Sequence, residues 1–242
     1  SRYGEDFYKK RMLPELLREL CKIDSNFYIR VLYCYPDRMT DELIDTIASE
    51  PKVLKYIDLP LQHASGKLLK RMNRHGDREV LTELINKLRT KIPNITIRTT
   101  FITGFPGETE EDFTELSEFV RDMRFDRMGC FAYSPEEDTP AAEFPDQIDD
   151  EVKKHRRDII MEQQAEIMAE KCESMIGKTI KVLFEGFDRY AECYYGRSSA
   201  DAPEVDGKVF FTVEGKKPAV GDIIDVEITD YIDVDLIGEY KA

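Results

Sequence analysis

The segment IRTTFITGFPGETEEDF at residues 97–113 has the residue types and spacing best suited to binding a ligand. Its alternating β-branched and apolar residues predict a mostly buried strand, which ends in a tight turn at Gly104 and Gly107. Thr109 and Asp112 then form the pattern of a helix capping box. A glycine-rich turn lets the backbone approach a ligand closely, although it can also serve chain reversal alone.

Polar side chains follow two other predicted strands. Gln62, His63 and Ser65 come after the apolar run LKYIDLP, and Tyr133 and Ser134 end the run RMGCFAY. Because α/β barrels and open α/β sheets bind ligands at the C-terminal ends of their strands, these side chains are candidates for a pocket. A lone histidine is nevertheless more often a hydrogen-bonded structural residue than a base.

Arg98 is the only charged residue in the strand pattern at 96–103. A guanidinium in such a strand must be paired or directed into a barrel. Its planar fork suits a carboxylate of a ligand, and a structural ion pair is equally compatible with the pattern.

The order of predicted elements indicates the α/β class. Helices and strands alternate through the first part of the chain: helix 7–22, strand 27–34, helix 40–50, strand 54–60, helices 65–73 and 77–91, strand 96–103, a helix from 109, and strand 127–133. A long helix follows at 149–174, with Val152, Ile159, Ile160 and Ile167 on its packed side. Five short strand patterns fill the rest of the chain. We therefore predict part of a parallel (β/α) barrel at 1–148, a connecting helix at 149–175 and a small all-β, OB-like barrel at 176–242.

Composition narrows the class of protein. The formal net charge of -14 disfavours general nucleic-acid binding, and no 18-residue apolar run predicts a membrane span. No secretory signal is visible, so a cytoplasmic location is expected. The five cysteines lack any C-x-x-C spacing, which predicts buried or inert thiols and no metal ligands within this sequence.

Four stretches, in order, resemble the radical S-adenosylmethionine (SAM) methylthiotransferase family. They are RTTFITGFPGETEEDF, YIDLPLQHASGKLLKRMNR, FDRMGCFAYSPEEDTPAA and GRSSADAPEVDG. The resemblance implies a TIM-like radical SAM barrel followed by a TRAM domain, with SAM and two [4Fe-4S] clusters as cofactors. The family's C-x3-C-x2-C loop and its three-cysteine N-terminal domain do not occur in these 242 residues. We therefore expect the cluster ligands upstream of Tyr3 and an inactive chain without them.

The resemblance also assigns candidate roles. Those expected at the SAM pocket are Arg98, Gly104, Phe105, Gly107, Gln62, Ser65 and Tyr133. Those expected to contact substrate are His63, Ser134, Asp201, Glu204 and Asp206. Asp206, which precedes Gly207, is also a typical turn-forming aspartate.

The last predicted domain bears on the substrate. Residues 176–242 contain 14 acidic and 8 basic residues, a net charge of -6, which favours a basic protein partner over tRNA. The GRSSADAPEVDG run is similar to the branch that modifies ribosomal protein S12. The implied reaction adds a methylthio group to the β-carbon of an S12 aspartate, on the free protein or the small ribosomal subunit, with an electron donor.

Three alternatives remain open at this point. The acidic surface is also compatible with a role in solubility alone. A tRNA methylthiotransferase shares the same core. An oligonucleotide-binding module would use aromatic residues such as Tyr190, Tyr194 and Tyr195, but few basic residues flank them.

Overall fold

The computed structural model describes residues 2–241 and divides into two compact units, one ending at Gln164 and one beginning at Ala165. The helices are α1 (Glu5–Tyr8), α2 (Leu13–Cys21), α3 (Asp41–Ser49), α4 (Gly66–Arg71), α5 (Arg78–Lys91), α6 (Glu110–Met123) and α7 (Asp150–Glu173). The strands are β1 (Ile29–Val31), β2 (Val53–Gln62), β3 (Thr96–Thr103), β4 (Arg127–Ala132), β5 (Thr179–Asp188), β6 (Cys193–Ser198), β7 (Val209–Glu214), β8 (Ile223–Ile232) and β9 (Asp235–Lys241). Single 3-10 turns span Pro36–Arg38 and Pro140–Glu143. The unit boundary falls inside α7, and the three-part division expected from the sequence stays a prediction.

The first unit contains a parallel sheet in the order β1-β2-β3-β4. One face of the sheet is sealed by aromatic packing: Phe101 of β3 is fully buried and meets Phe119 of α6 and Phe125 edge-on, with ring centroids 6.2 and 5.6 Å apart. Burial of such rings accounts for much of the core's stability. The predicted α/β class with a parallel sheet is confirmed.

The opposite face of the sheet is open in the part of the chain that the structure describes. Thr100 and Ile102 of β3 are only partly buried, and Phe131 of β4, paired with Ile102, is 62% exposed. Because successive residues of a strand point to opposite faces, Arg98 lies on this same open face. The four described strands therefore form an open sheet with one covered side.

Two predicted elements near the start of the chain are wrong in detail. The single helix expected at 7–22 is divided into α1 and α2, because Lys9 has left-handed backbone (φ 53°) and Pro14 sits in the first turn of α2. The strand expected at 27–34 shortens to β1, since Tyr33 also adopts a positive φ of 55° and turns the chain.

The packed side of α7 agrees only in part with the predicted one, because Ile160 and Ile167 are buried as expected. Val152 is 41% exposed, whereas Lys153 and Arg156 are buried together with Ile160. These three residues follow a spacing of three and four, so they form one helical stripe. A charged stripe was not expected from hydrophobic periodicity, and it matters for the site described below.

The second unit is a closed five-stranded barrel in the order β5-β6-β7-β9-β8, which confirms the small all-β barrel. Neighbouring strands are antiparallel except for the parallel β7–β9 pair. Its core contains Val182, Phe184, Phe211 and Val226, all nearly inaccessible to solvent. Within residues 2–241, no helix is both long enough and apolar enough to cross a membrane.

Candidate cofactor-binding rim

The C-terminal ends of β2, β3 and β4 lie side by side at one edge of the sheet, because the strands are parallel and paired in register. The loops after these ends carry the residues singled out in the sequence. A buried polar network joins two of the loops.

Glu108 is the centre of that network. Its side chain has 0% exposure, and its Oε2 accepts a hydrogen bond from the backbone N–H of Gly104 at 2.8 Å. Arg156 donates from Nη1 to the Oε1 of Glu108 at 2.7 Å and to its carbonyl oxygen at 3.3 Å. A buried carboxylate requires such partners, because an uncompensated charge in the interior is very costly. Glu108 thus fixes the turn that follows β3.

His63 lies against the same carboxylate. Its Nδ1 accepts the backbone N–H of Ser65 at 2.9 Å, so in the neutral ring the proton is carried by Nε2. That nitrogen is 3.3 Å from Glu108 Oε2 but without hydrogen-bond alignment, so the contact is electrostatic rather than a true hydrogen bond. With 0% exposure, His63 agrees with the interpretation as a structural residue, and its contact with substrate stays a prediction.

Ser65 is likewise committed to the fold. It is 3% exposed and donates its hydroxyl to Asp112 Oδ1 at 2.7 Å. Asp112 also accepts from the N–H of Thr109 and from Lys67, and with Thr109 it completes the predicted capping box. Burial alone would raise the pKa of Asp112, but these hydrogen bonds outweigh it and lower the pKa to about 2.

The two glycines of the turn approach side chains of this chain. Gly104 has a φ of +71°, and a Cβ there would lie 2.7 Å from Cβ of Lys153. At Gly107, with a φ of +82°, a Cβ would meet the guanidinium of Arg71 at 2.6 Å. Both positions require glycine because of the left-handed backbone and this close packing. The side chains of Lys153 and Arg71 thus pack against the backbone at these two points.

Phe105 and Tyr133 form the aromatic part of the rim. Phe105 is 5% exposed, and its ring lies edge-on to Tyr133 at 5.2 Å and to Phe144 at 6.2 Å. The hydroxyl of Tyr133 is buried, and within residues 2–241 it has no hydrogen-bond partner. Gln62, at a bulge with a φ of +72°, and the exposed Ser134 also lie at this edge. A buried hydroxyl without a partner is the observation that best fits a polar ligand group here.

Arg98 lies elsewhere. It is the third residue of β3, so it sits in the N-terminal half of the strand, about 16 Å from Thr103 at the strand rise of about 3.3 Å per residue. Its Nη1 is 3.3 Å from Oδ1 of Asp58, whose side chain is 2% exposed. This depth separates Arg98 from the C-terminal rim, and its expected place at the SAM pocket stays a prediction. The ion pair with Asp58 agrees with the structural interpretation of this arginine.

The acidic candidates in the barrel unit have different surroundings. Asp201 is 2% exposed and accepts the N–H of Ser198 at 3.1 Å, so its carboxylate is unavailable to a partner. Asp206 accepts the N–H of Ala202 at 2.8 Å, as a turn-forming aspartate does. Glu204 alone is exposed.

Iron–sulfur ligands do not occur among the described residues. No cluster of three His, Cys, Asp or Glu side chains in residues 2–241 could hold a metal ion. Burial raises the pKa of the Cys34 thiol to about 11 and that of Cys130 to about 12, which keeps both protonated at neutral pH. The residues present therefore do not fit a cluster.

Sequence reasoning missed the residues that hold the rim from outside. Arg156 and Lys153 come from α7, and Arg71 makes two 2.8 Å hydrogen bonds to Asp146, whose carbonyl accepts the N–H of Gly107. The sequence does contain a signal for Lys153 and Arg156, because they are basic residues at positions i and i+3 of a helix whose apolar stripe is weak.

Comparisons with known proteins agree with this architecture. Residues 3–120 match the radical SAM superfamily, and residues 176–240 match the TRAM domain. A relative from Lachnoclostridium phytofermentans, named ribosomal protein uS12 methylthiotransferase RimO, is 50% identical over 98% of this chain and 53% of its own length. Proteins of the same name from Caldanaerobacter subterraneus and Geobacter sulfurreducens are 50% and 48% identical over 99% and 98% of this chain, and over 54% and 53% of their own lengths. The chain thus spans about half the length of these relatives.

A weaker likeness exists to a solved structure. The coproporphyrinogen III oxidase HemN from Escherichia coli, a radical SAM enzyme, matches with a TM-score of 0.47 and 21% identity over 73% of this chain and 38% of that one. This level of similarity supports no argument about function.

The chain therefore contains part of a radical SAM domain followed by a TRAM domain. Over nearly its whole length it is similar to three relatives of the RimO type.

We predict that Glu108→Gln destabilises the first unit by about 3 kcal/mol, because Arg156 would keep its buried position without its buried counter-charge. Glutamine can still accept the N–H of Gly104 through its one amide oxygen, but its NH2 group then faces the guanidinium of Arg156, so both the charge and one hydrogen bond are lost. Glu110→Gln is the matched control: Glu110 pairs with the same arginine at 2.8 Å, but its side chain is 74% exposed, and we expect a loss of about 0–1 kcal/mol. Urea denaturation followed by circular dichroism measures both. Equal losses of stability in the two variants would show that the buried Glu108–Arg156 pair contributes no more than the exposed Glu110–Arg156 pair.

A second prediction concerns acid stability. The pKa of the Asp112 carboxyl is 3.8 in the unfolded chain and about 2 in the folded one. Its ionised form therefore stabilises the fold by about 2 kcal/mol above pH 4, and this contribution is lost as the pH falls toward 2. Asp112→Asn should therefore be less stable than the unaltered chain at pH 5, and the difference should shrink toward pH 2. A difference that is the same at both pH values would contradict the low pKa.

Proposed function

We propose that the protein containing this chain is a methylthiotransferase that modifies an aspartate of ribosomal protein S12 in the cytoplasm. The observation that carries the proposal is the identity of about 50% to proteins of that name over nearly the whole chain. The acidic TRAM domain supports the choice of substrate, since a net charge of -6 opposes binding to tRNA phosphates.

The described residues contribute to the SAM side of such a site. When bound, SAM and the clusters would supply the one-electron chemistry that removes hydrogen from carbon, together with the sulfur and the methyl group. Of the predicted pocket residues, Tyr133, Phe105 and Gln62 are those best placed to hold SAM, because they lie at the C-terminal edge and Tyr133 has an unused buried hydroxyl. Gly104, Gly107 and Ser65 act indirectly, by fixing the backbone of the rim.

The acidic surface of the TRAM barrel offers a better docking candidate than the turn at 201–206. Asp225, Glu227 and Asp230 of β8 and Glu239 of β9 are all exposed. Glu227 and Glu239 are directly opposite each other across the strand pair. Like charges in this arrangement are unfavourable, and Lys241, 3.6 and 3.1 Å from the two, only partly relieves them. A basic partner would gain from neutralising this stripe, which we call the β8–β9 acidic stripe.

We predict that the intact enzyme, with its upstream cluster-binding part and a reductant, places one methylthio group on an S12 aspartate. Mass spectrometry of S12 and of tRNA from the same reaction measures the outcome. Modification of tRNA with S12 left unchanged would overturn the proposal.

Neutralising the stripe tests the docking role. In the intact enzyme, Glu227→Gln with Asp230→Asn should raise KM for S12 about three- to tenfold, more strongly at low salt, and leave SAM cleavage unchanged. The control pair Glu79→Gln and Glu83→Gln removes equal charge from the exposed side of α5. The same change in KM for both pairs would mean that net charge, and not this stripe, guides the substrate.

A further inference from the structure

A cavity of about 300 Å³ opens between the turn after β1 and the connection from α4 to α5. Its apolar lining includes the buried Leu61, next to Gln62 at the end of β2, and Leu81 of α5. Tyr35 and Pro36 also line it. The cavity therefore lies at the same C-terminal edge of the sheet as the rim, in a place that the network around Glu108 does not use.

The charged residues of the cavity leave one positive charge uncompensated. Arg38 is paired with Asp37 at 3.1 Å, and Arg2 is paired with Glu5 at 2.8 Å. Arg74 lines the same cavity, and within residues 2–241 no carboxylate lies within salt-bridge distance of it, although the Asp37 carboxylate is near enough to favour its charged form. In a chain with a net charge of -14, an unpaired and partly buried guanidinium is unusual and calls for an anion.

The position of Arg74 is fixed while most of its donors stay unused. Its Nη1 donates to the carbonyl oxygen of Pro60 at 3.2 Å, and its Cζ lies 5.0 Å from the centroid of the Tyr35 ring. A guanidinium has five N–H groups, so four remain for a ligand. Burial lowers the pKa of Arg74, which indicates that its charge is poorly solvated and would be stabilised by a counter-ion.

The number of charges favours a monoanion. With Arg2 and Arg38 each paired, the cavity has a net charge of about one from Arg74, and the exposed His75 adds only a weak, pH-dependent charge. A dianionic phosphate would be better matched by two unpaired cations. A carboxylate matches one guanidinium, with which it forms two parallel hydrogen bonds.

We propose that this cavity binds a carboxylate of the protein substrate through Arg74, and that this carboxylate is that of the aspartate to be modified. The identity of the aspartate rests on the proposed function, whereas carboxylate binding by the cavity does not. Bound in this way, the aspartate side chain would be held through its carboxyl group. The hydrogen bonds to Arg74 would then leave its β-carbon uncovered.

The first test uses the chain alone and a blocked aspartate, N-acetyl-aspartate methylamide, titrated by NMR. We expect saturable binding, at least about tenfold weaker binding by Arg74→Gln, and unchanged binding by Arg121→Gln, a control whose arginine side chain is 64% exposed. The blocked asparagine should not bind. Arg74→Lys keeps the positive charge and a donor for the carbonyl of Pro60, but it loses the planar guanidinium that forms two parallel hydrogen bonds. This variant should therefore bind the blocked aspartate several-fold more weakly than the unaltered chain. If Arg74→Gln fails to fold, the Arg74→Lys result decides whether Arg74 binds the carboxylate.

Two results would overturn the proposal. One is that the blocked aspartate does not bind the unaltered chain, or binds the Arg74→Gln variant equally well. The other is tighter binding of inorganic phosphate with the same dependence on Arg74, which would make the cavity a phosphate site.

The second test separates this proposal from the proposed function. In the intact enzyme, Arg74→Gln should raise KM for S12 and leave reductive SAM cleavage at the unaltered rate. If S12 is not a substrate even of the unaltered enzyme, the proposed function fails while carboxylate binding by the cavity stands. If S12 is modified with the same KM by the variant, the cavity does not hold the target aspartate.

Discussion

The buried carboxylate of Glu108 is the constraint on which the rim depends. A carboxylate with no solvent contact must be compensated, and here one side chain is shared by the backbone of Gly104, the guanidinium of Arg156 and the ring of His63. Those partners come from the loop after β3, from helix α7 and from the loop after β2. One ionised group thereby ties three segments that are far apart in the sequence. The turn has little freedom left, which suits a loop that must hold a fixed shape next to a ligand.

Charge is distributed unevenly in this protein. The exterior is acidic, most visibly at the β8–β9 acidic stripe, which can attract a basic partner over about a Debye length. In the first unit, Arg98 is balanced by Asp58 and Arg156 by Glu108. Arg74 differs, because no carboxylate among the described residues forms a salt bridge with it. Unbalanced charge in a cavity is where an anionic ligand group gains the most.

Hydrophobic periodicity and turn residues were enough to predict most of the fold. The strand at 96–103, the cap at Thr109 and the five-stranded barrel depend on local signals, and the structure confirms them. The split between α1 and α2 was missed because a left-handed residue such as Lys9 leaves no reliable trace in composition. The site was less predictable. Arg98 was expected at the SAM pocket, and the structure places it in the N-terminal half of β3 beside Asp58. Arg156 and Lys153, which contact Glu108 and Gly104, lie about 50 residues further along the chain. Such long-range pairing of charges is decided by tertiary packing, which one sequence does not display.

The central claim is that Glu108 locks the turn after β3, and amide hydrogen exchange at Gly104 tests it directly. Gly104 lies beyond the end of the strand, yet its N–H points to a carboxylate with no exposure to water. The account predicts that this amide exchanges as slowly as those in the middle of β3, and that Glu108→Ala accelerates it to the rate of an exposed loop while the middle of β3 stays protected. Exchange of the Gly104 amide at the rate of an unstructured peptide in the unaltered chain would contradict the account.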